Sequence, residues 1–215
     1  MNFNETKHLL RYLCFHFPNL SFYLEIDLVY TKSIIRIMAN MDFITGFIIN
    51  LPKIIHFNAD QLSLHLSLIK AATNKQIIVF DNTDFSNFDE LIKPLSINGL
   101  IISDKNKLNN YNKNAQLNIY CLEALYFNEF PAVAGIISDV ANIDYQIVVQ
   151  TLKNSKKQLK FYHTLLHLLN QTSLSTSIKY CLKQQQGFSN QTRLPLTKID
   201  NKLENKLNQV LEKTK

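Results

Sequence analysis

Four short runs of large apolar residues dominate the first two thirds of the chain: Gly46-Phe-Ile-Ile-Asn50, Gln76-Ile-Ile-Val-Phe80, Gly99-Leu-Ile-Ile-Ser103 and Gly135-Ile-Ile-Ser138. Such a run, with no polar alternation, cannot turn one face to water. It reads as a strand buried on both faces, which in practice means a parallel sheet covered by helices. Three of the chain's four glycines open these runs. Ser21–Leu28 and Leu117–Cys121 are further strand candidates, which brings the expected count to about six, the last of them spanning Ala134–Ser138.

Helical patterns lie between the strands. Thr31–Asn40 carries Ile34, Ile35, Ile37 and Met38, and Asp60–Ala72 follows an Asn-Ala-Asp start suited to capping a helix. Phe85–Leu95 and Leu122–Phe130 are shorter candidates, and Asn4–Phe17 forms a leading helix with Leu9, Leu10, Leu13 and Phe17 on one side. Strands alternating with helices predict successive β-α units. After Ser138 the pattern becomes helical only, at Tyr145–Leu152, Lys156–Leu169, Ser175–Gln185 and Asp200–Lys213. The expected organisation is a β/α body over residues 1–152 and a helical extension over 153–215 packed on it. An open doubly wound sheet and a β/α barrel both fit at this level.

Composition removes several function classes. With 46% hydrophobic and 19% charged residues the chain is a folded globular protein. No apolar run reaches the length of a membrane helix, and Glu5, Lys7, His8 and Arg11 interrupt the stretch where a signal peptide would need apolar residues, so a cytoplasmic protein with no membrane role is expected. The net charge of +6 comes almost wholly from lysines, many of them after Lys153. That fits a solvated helical face, and no nucleic-acid partner is expected. Cys14, Cys121 and Cys181 have no metal-ligand or disulfide spacing and read as reduced structural thiols. His163 and His167 sit one turn apart but lack a third ligand, so no metal and no cofactor are expected.

Two segments bring a family into view. Gly135-Ile-Ile-Ser-Asp-Val-Ala-Asn142 resembles the G-V-I-S-x-x-A-N stretch of the dihydrodipicolinate synthase and N-acetylneuraminate lyase family. Ser177-Ile-Lys-Tyr-Cys-Leu, then Gly187 and Thr192-Arg-Leu-Pro-Leu-Thr197, is similar to that family's C-terminal signature, at matching spacing. The resemblance is specific from about Pro131 to Thr197. It implies a β/α barrel followed by helices, here as a truncated TIM-type barrel of about six parallel strands with a C-terminal helical subdomain. Asn4–Phe17 would be the second barrel helix and Ser21–Leu28 the third strand. Arg193 and Pro195 would join the last two helices structurally.

The same resemblance implies lost chemistry. Ser103 falls where the family places its Schiff-base lysine, and a serine cannot form an imine. Phe80 falls on the proton-relay tyrosine, Ile54 on the second tyrosine of the family's P-Y-Y motif, and Phe85 near its substrate-binding arginine. No G-T-T-G-E carboxylate loop is present in the sequence. Lys105 and Lys53 are fallback nucleophiles on the same face, and Gly135, Ile137 and Ser138 remain as binding candidates. Glu25 and Asp27 place carboxylates on the first strand, while Phe80, Phe85 and Phe88 are suited to fill a vacated pocket.

The expectation is a catalytically inactive relative acting as a structural or regulatory oligomer subunit, either a homo-oligomer or a hetero-oligomer with an active homologue. Uncovered strand edges and an apolar helix face at Leu9, Leu13 and Phe17 are its physical motive. The rival readings are a pyruvate-dependent aldol-type lyase or synthase with a relocated lysine, and a barrel that binds a ligand without transforming it.

Overall fold

The computed structural model describes residues 3–27, 35, 38–51, 58–84, 88–104, 106–107, 111, 117–123, 133–153 and 156–212. The apolar runs become six strands: β1 Tyr23–Asp27, β2 Gly46–Leu51, β3 Gln76–Asp81, β4 Gly99–Ile102, β5 Asn118–Leu122 and β6 Gly135–Ile137. They form one sheet in the order β1-β2-β3-β4-β5-β6, with parallel pairing registered at Tyr23↔Gly46, Gly46↔Gln76, Ile78↔Gly99 and Gly99↔Asn118. The sheet curls as a half-barrel, so the chain supplies six strands of a TIM-type fold with a helical part. Sequential order with parallel neighbours requires a crossover between every pair of strands.

Burial explains why those runs carried no alternation. In β4 every residue is buried, and in β2 Phe47, Ile49 and Leu51 are fully buried while Ile48 and Asn50 are half-buried. The leading helix α1 spans Phe3–His16, and α2 spans Ala59–Lys70 with Leu62, Leu66 and Ile69 turned inward. The Asn58-Ala-Asp-Gln61 start of α2 is a capping box: the Gln61 amide donates to Asn58 Oδ1 at 2.9 Å, and the Asn58 amide donates to Gln61 Oε1 at 3.1 Å. The short helix α3, Phe88–Ile92, tightens into a 3₁₀ turn at Lys93–Leu95, where Pro94 removes a backbone donor.

Some expected elements shift. Ser103 lies just beyond β4 rather than inside it, and Leu122 belongs to β5 instead of opening a helix. Residues 124–130 of the Leu122–Phe130 candidate, most of Thr31–Asn40, and Leu28, Phe85, Lys53, Ile54 and Lys105 lie outside the described residues. Ile35 and Met38 are fully buried.

The chain folds as two compact units, residues 1–121 with 132–135 and residues 122–131 with 136–215. The second holds α4 Tyr145–Leu152, α5 Lys156–Leu169, α6 Leu174–Gln186 and α7 Asn201–Leu211. Its core gathers Val140, Ile147, Tyr162, Leu165, Cys181 and Leu207. Asp200 caps α7 through the Leu203 amide at 2.7 Å. Gly187 ends α6 with φ +72°, a conformation that favours glycine. Arg193 and Pro195 lie in the link between α6 and α7. Among the described residues no helix is long and apolar enough to cross a membrane.

Candidate functional site

Parallel β/α folds gather polar side chains just past the C-terminal ends of their strands. Here β1 to β4 each contribute one polar residue at or near that end. Ser103 Oγ donates to Asn82 Oδ1 at 3.3 Å, Asn82 Nδ2 to Asn50 Oδ1 at 3.3 Å, and Asn50 Nδ2 to Glu25 Oε1 at 2.9 Å. The four residues form a ladder in which each neutral donor is matched to a neighbouring acceptor. Glu25 is thus the end of a hydrogen-bond chain; the Asp27 side chain lies outside what is described.

A charged cluster adjoins the ladder. Asp81, the last residue of β3, has a side chain with no exposure and pairs with Lys107 Nζ at 2.9 Å. Its Oδ1 accepts from the Thr83 amide at 2.9 Å and the Thr83 hydroxyl at 2.7 Å, and its Oδ2 accepts from Tyr111 at 3.0 Å. Lys107 Nζ also donates to the Thr83 carbonyl. A buried carboxylate is tolerable only with such a full set of partners. Around it lies a cleft of about 310 Å³ lined by Asp81, Asn82, Thr83, Ser103, Asp104 and Lys107, with Asp84 at its edge. Ser103 and Asp104 are exposed there.

The second unit holds its own polar centre. Glu123, directly after β5, is buried with φ +63°. Its Oε1 accepts from the Asp139 amide at 2.9 Å, and its Oε2 accepts from Ser138 Oγ at 2.7 Å and from the Tyr162 hydroxyl. Ser138 lies 2.9 Å from Tyr162 Oη and caps the 3₁₀ turn Asp139–Asn142 through the Val140 amide. Every one of these groups braces another, which is a structural arrangement.

The sequence candidates are therefore dispersed. Ser103 lines the cleft, and Phe80 is half-buried on β3. Gly135 lies 3.3 Å, measured from an added Cβ, from the Tyr120 ring. Ile137 gives its carbonyl to the Glu123 amide at 2.7 Å, and Ser138 serves the Glu123 centre. His163 and His167 are exposed on α5. Among the described residues no group of three or more metal-ligating side chains occurs. Cys121 and Cys181 are buried and Cys14 is half-buried. Burial pushes the Cys121 thiol up to about 11 and the Cys181 thiol up to about 12, which keeps both neutral and unreactive near pH 7. Asp81, Lys107, Glu123 and Tyr162 escaped the sequence reading. Asp81 and Glu123 carry one local signal, an acidic residue closing or directly following an apolar strand; Lys107 and Tyr162 carry none.

Comparison with known proteins bears on the fold. No family model matches the chain, and no curated protein does. Solved structures do match. A putative dihydrodipicolinate synthetase from Pseudomonas aeruginosa superposes with a TM-score of 0.84 at 13% identity, over 100% of this chain and 83% of that one. N-acetylneuraminate lyase from Fusobacterium nucleatum gives 0.81 at 17% identity, over 99% and 81%. A variant of Sulfolobus solfataricus 2-keto-3-deoxygluconate aldolase gives 0.77 at 11% identity, over 99% and 79%. The chain has the fold of this group of lyases and aldolases.

Proposed function

We propose that the chain is a non-catalytic relative of the dihydrodipicolinate synthase and N-acetylneuraminate lyase group, acting by association as a structural or regulatory subunit. The observation that carries this reading is the state of the strand ends. A serine occupies the position that resembles the imine-forming lysine, and its hydroxyl is engaged in the polar ladder. The one lysine lining the described cleft, Lys107, is committed to the buried carboxylate of Asp81. Imine chemistry needs an amine that can attack a carbonyl carbon, and the Lys107 amine is engaged by Asp81 Oδ2 and the Thr83 carbonyl. Exposed aromatic residues on and just after α1, with Tyr12 at 59%, Phe15 at 82% and Phe17 at 50% exposure, support action through association.

Lys107 is also what favours the second reading, a pyruvate-dependent aldol-type lyase with a relocated amine, because it does stand in the cleft at the mouth of the strands. One experiment separates the two. The protein is incubated with pyruvate and sodium borohydride and its intact mass is measured, alongside Lys107→Met. Unmodified protein is expected. A reduced adduct that disappears in Lys107→Met would replace the proposal with the lyase, and an adduct that survives would assign the amine to another lysine, Lys53 and Lys105 first.

A further inference from the structure

The second unit contains a cavity of about 440 Å³ that the barrel chemistry does not use. The turn after α5 supplies Gln171 and Thr172; the approach to α7 and its first two turns supply Thr197, Lys198, Lys202 and Lys206. Ile199 and Leu203, both buried, form its apolar floor. A volume of this size falls within the ~300–1,000 Å³ range of small-molecule sites.

Its electrostatics are one-sided. Lys202 and Lys206 stand four residues apart on one helix face, a spacing at which like charges repel. Lys198, in the segment before α7, lines the same cavity. The one carboxylate lining the cavity, Asp200, is already engaged as the cap of α7 through the Leu203 amide. The site rests on the lysine-lined cavity and not on the helix start. Glu204, the acidic residue nearest in sequence, interacts with Tyr180 and sits about 200° around the helix from Lys202. Among the described residues no ion pair neutralises any of the three lysines. Three lysines thus line a largely polar cavity whose lining also includes the amide of Gln171 and the hydroxyls of Thr172 and Thr197.

We infer that this cavity binds a small anion carrying two or more charges, of the phosphate-ester or polyphosphate class. Lysine meets such oxygens as a point charge, and the neutral side chains of Gln171, Thr172 and Thr197 complete the hydrogen bonding. An apolar floor beside a cationic wall suits an organic phosphate, whose carbon body rests on Ile199 and Leu203. The site is separate from the strand-end cleft and stands whether or not that cleft is catalytic.

Pyrophosphate is the probe, titrated calorimetrically into the full chain at near-physiological ionic strength, with sodium sulfate at matched ionic strength as the control anion. Saturable pyrophosphate binding is expected, weakened at least tenfold in Lys202→Gln/Lys206→Gln and unchanged in Lys160→Gln, which removes an exposed lysine from α5. The substituted side chains are exposed, so circular dichroism should show all variants folded. Absence of saturable binding, equal affinity in the double variant, or equal response to sulfate would each overturn the assignment. Tighter binding of a short single-stranded oligonucleotide than of pyrophosphate would overturn the small-ligand class in favour of a nucleic-acid surface.

Discussion

Replacing Lys107 with methionine tests whether the cleft lysine is a structural counter-ion or a spare amine. The substitution keeps most of the apolar stem and removes the charge. Asp81 would retain the Thr83 amide, the Thr83 hydroxyl and Tyr111 as donors, but its carboxylate, which has no solvent exposure, would lose the cation paired with it. Breaking a buried pair from one side costs about 3–5 kcal/mol. The lysine side chain keeps 18% exposure, so water screens part of the interaction, and three donors remain; about 2–3 kcal/mol is the expected loss. With a urea dependence of about 1–3 kcal/mol per molar, the unfolding midpoint should fall by roughly 1 M. Unfolding would be followed by circular dichroism, with amide hydrogen exchange at Thr83 as a local probe. In Asp81→Asn/Lys107→Met the two changes should offset each other, giving a coupling energy above about 1 kcal/mol in the double-mutant cycle. A single-variant loss below about 0.5 kcal/mol, with no coupling, would refute the structural role and strengthen the lyase reading.

Three further outcomes are expected. Tyr162→Phe removes one of the two hydroxyls on Glu123 Oε2 and should destabilise by about 1–3 kcal/mol; unchanged thermal unfolding would show that the Glu123 centre does not brace its unit. Gly46→Ala would place a Cβ 2.6 Å from the Gln76 carbonyl and 2.7 Å from the Tyr23 ring, whereas Gly135→Ala meets nothing nearer than the Tyr120 ring at 3.3 Å; a cost of about 1–3 kcal/mol is expected for the first and clearly less for the second, and equal costs would contradict the packing argument. The thiols at Cys121 and Cys181 ionise near 9.0 when unfolded but only at about 11 and about 12 when folded, so the folded state binds more protons between those limits. Their contribution is fully present below pH 9 and falls as pH rises through that window at about 1.4 kcal/mol per unit for each thiol; Cys181→Ala should remove the Cys181 share of the slope and leave that of Cys121, and an identical pH slope in that variant would sink the assignment.

The strands were legible because burial on both faces writes itself into the sequence as an uninterrupted apolar run. The glycines were legible as punctuation, but their reason was not. Gly46 lies beneath the ring of Tyr23, and Gly99 and Gly135 flank the ring of Tyr120. Two tyrosines occupy space at the strand starts that any Cβ there would contest. Burial raises the Tyr23 hydroxyl above its ordinary range, with Tyr120 adding to the effect, and that hydroxyl donates to Gln76. Nothing in Gly-Phe-Ile-Ile announces a tyrosine from a strand 23 residues earlier. The helical tail was the most legible part, since Leu203, Leu207, Val210 and Leu211 repeat at helical spacing and all are buried; its end came two residues early, at Leu211.

The site was legible only where it departs from a familiar pattern. Ser103 could be singled out because a motif expects an amine there. Lys107 could not: in Asp104-Lys-Asn-Lys107 it reads as a solvated loop, and its partner lies 26 residues away. Glu123 and Tyr162 are 39 residues apart. Buried polar groups are fixed by whichever partner the fold delivers, and local periodicity carries no record of that partner. What the sequence does retain is a weaker mark, a polar residue closing or directly following four of the strands: Asp81 and Asn82 at the end of β3, Ser103 after β4, Glu123 after β5 and Ser138 after β6. In the first unit Ser103, Asn82, Asn50 and Glu25 satisfy one another across the strand ends. Introducing Ser103→Lys would therefore do two things at once. It would break the Ser103–Asn82 rung and bring a cation beside the Asp104 carboxylate and the Lys107–Asp81 pair. A lysine so placed has acidic neighbours that favour its charged form, so Ser103→Lys alone is expected to give no borohydride-trapped pyruvate adduct in the intact mass.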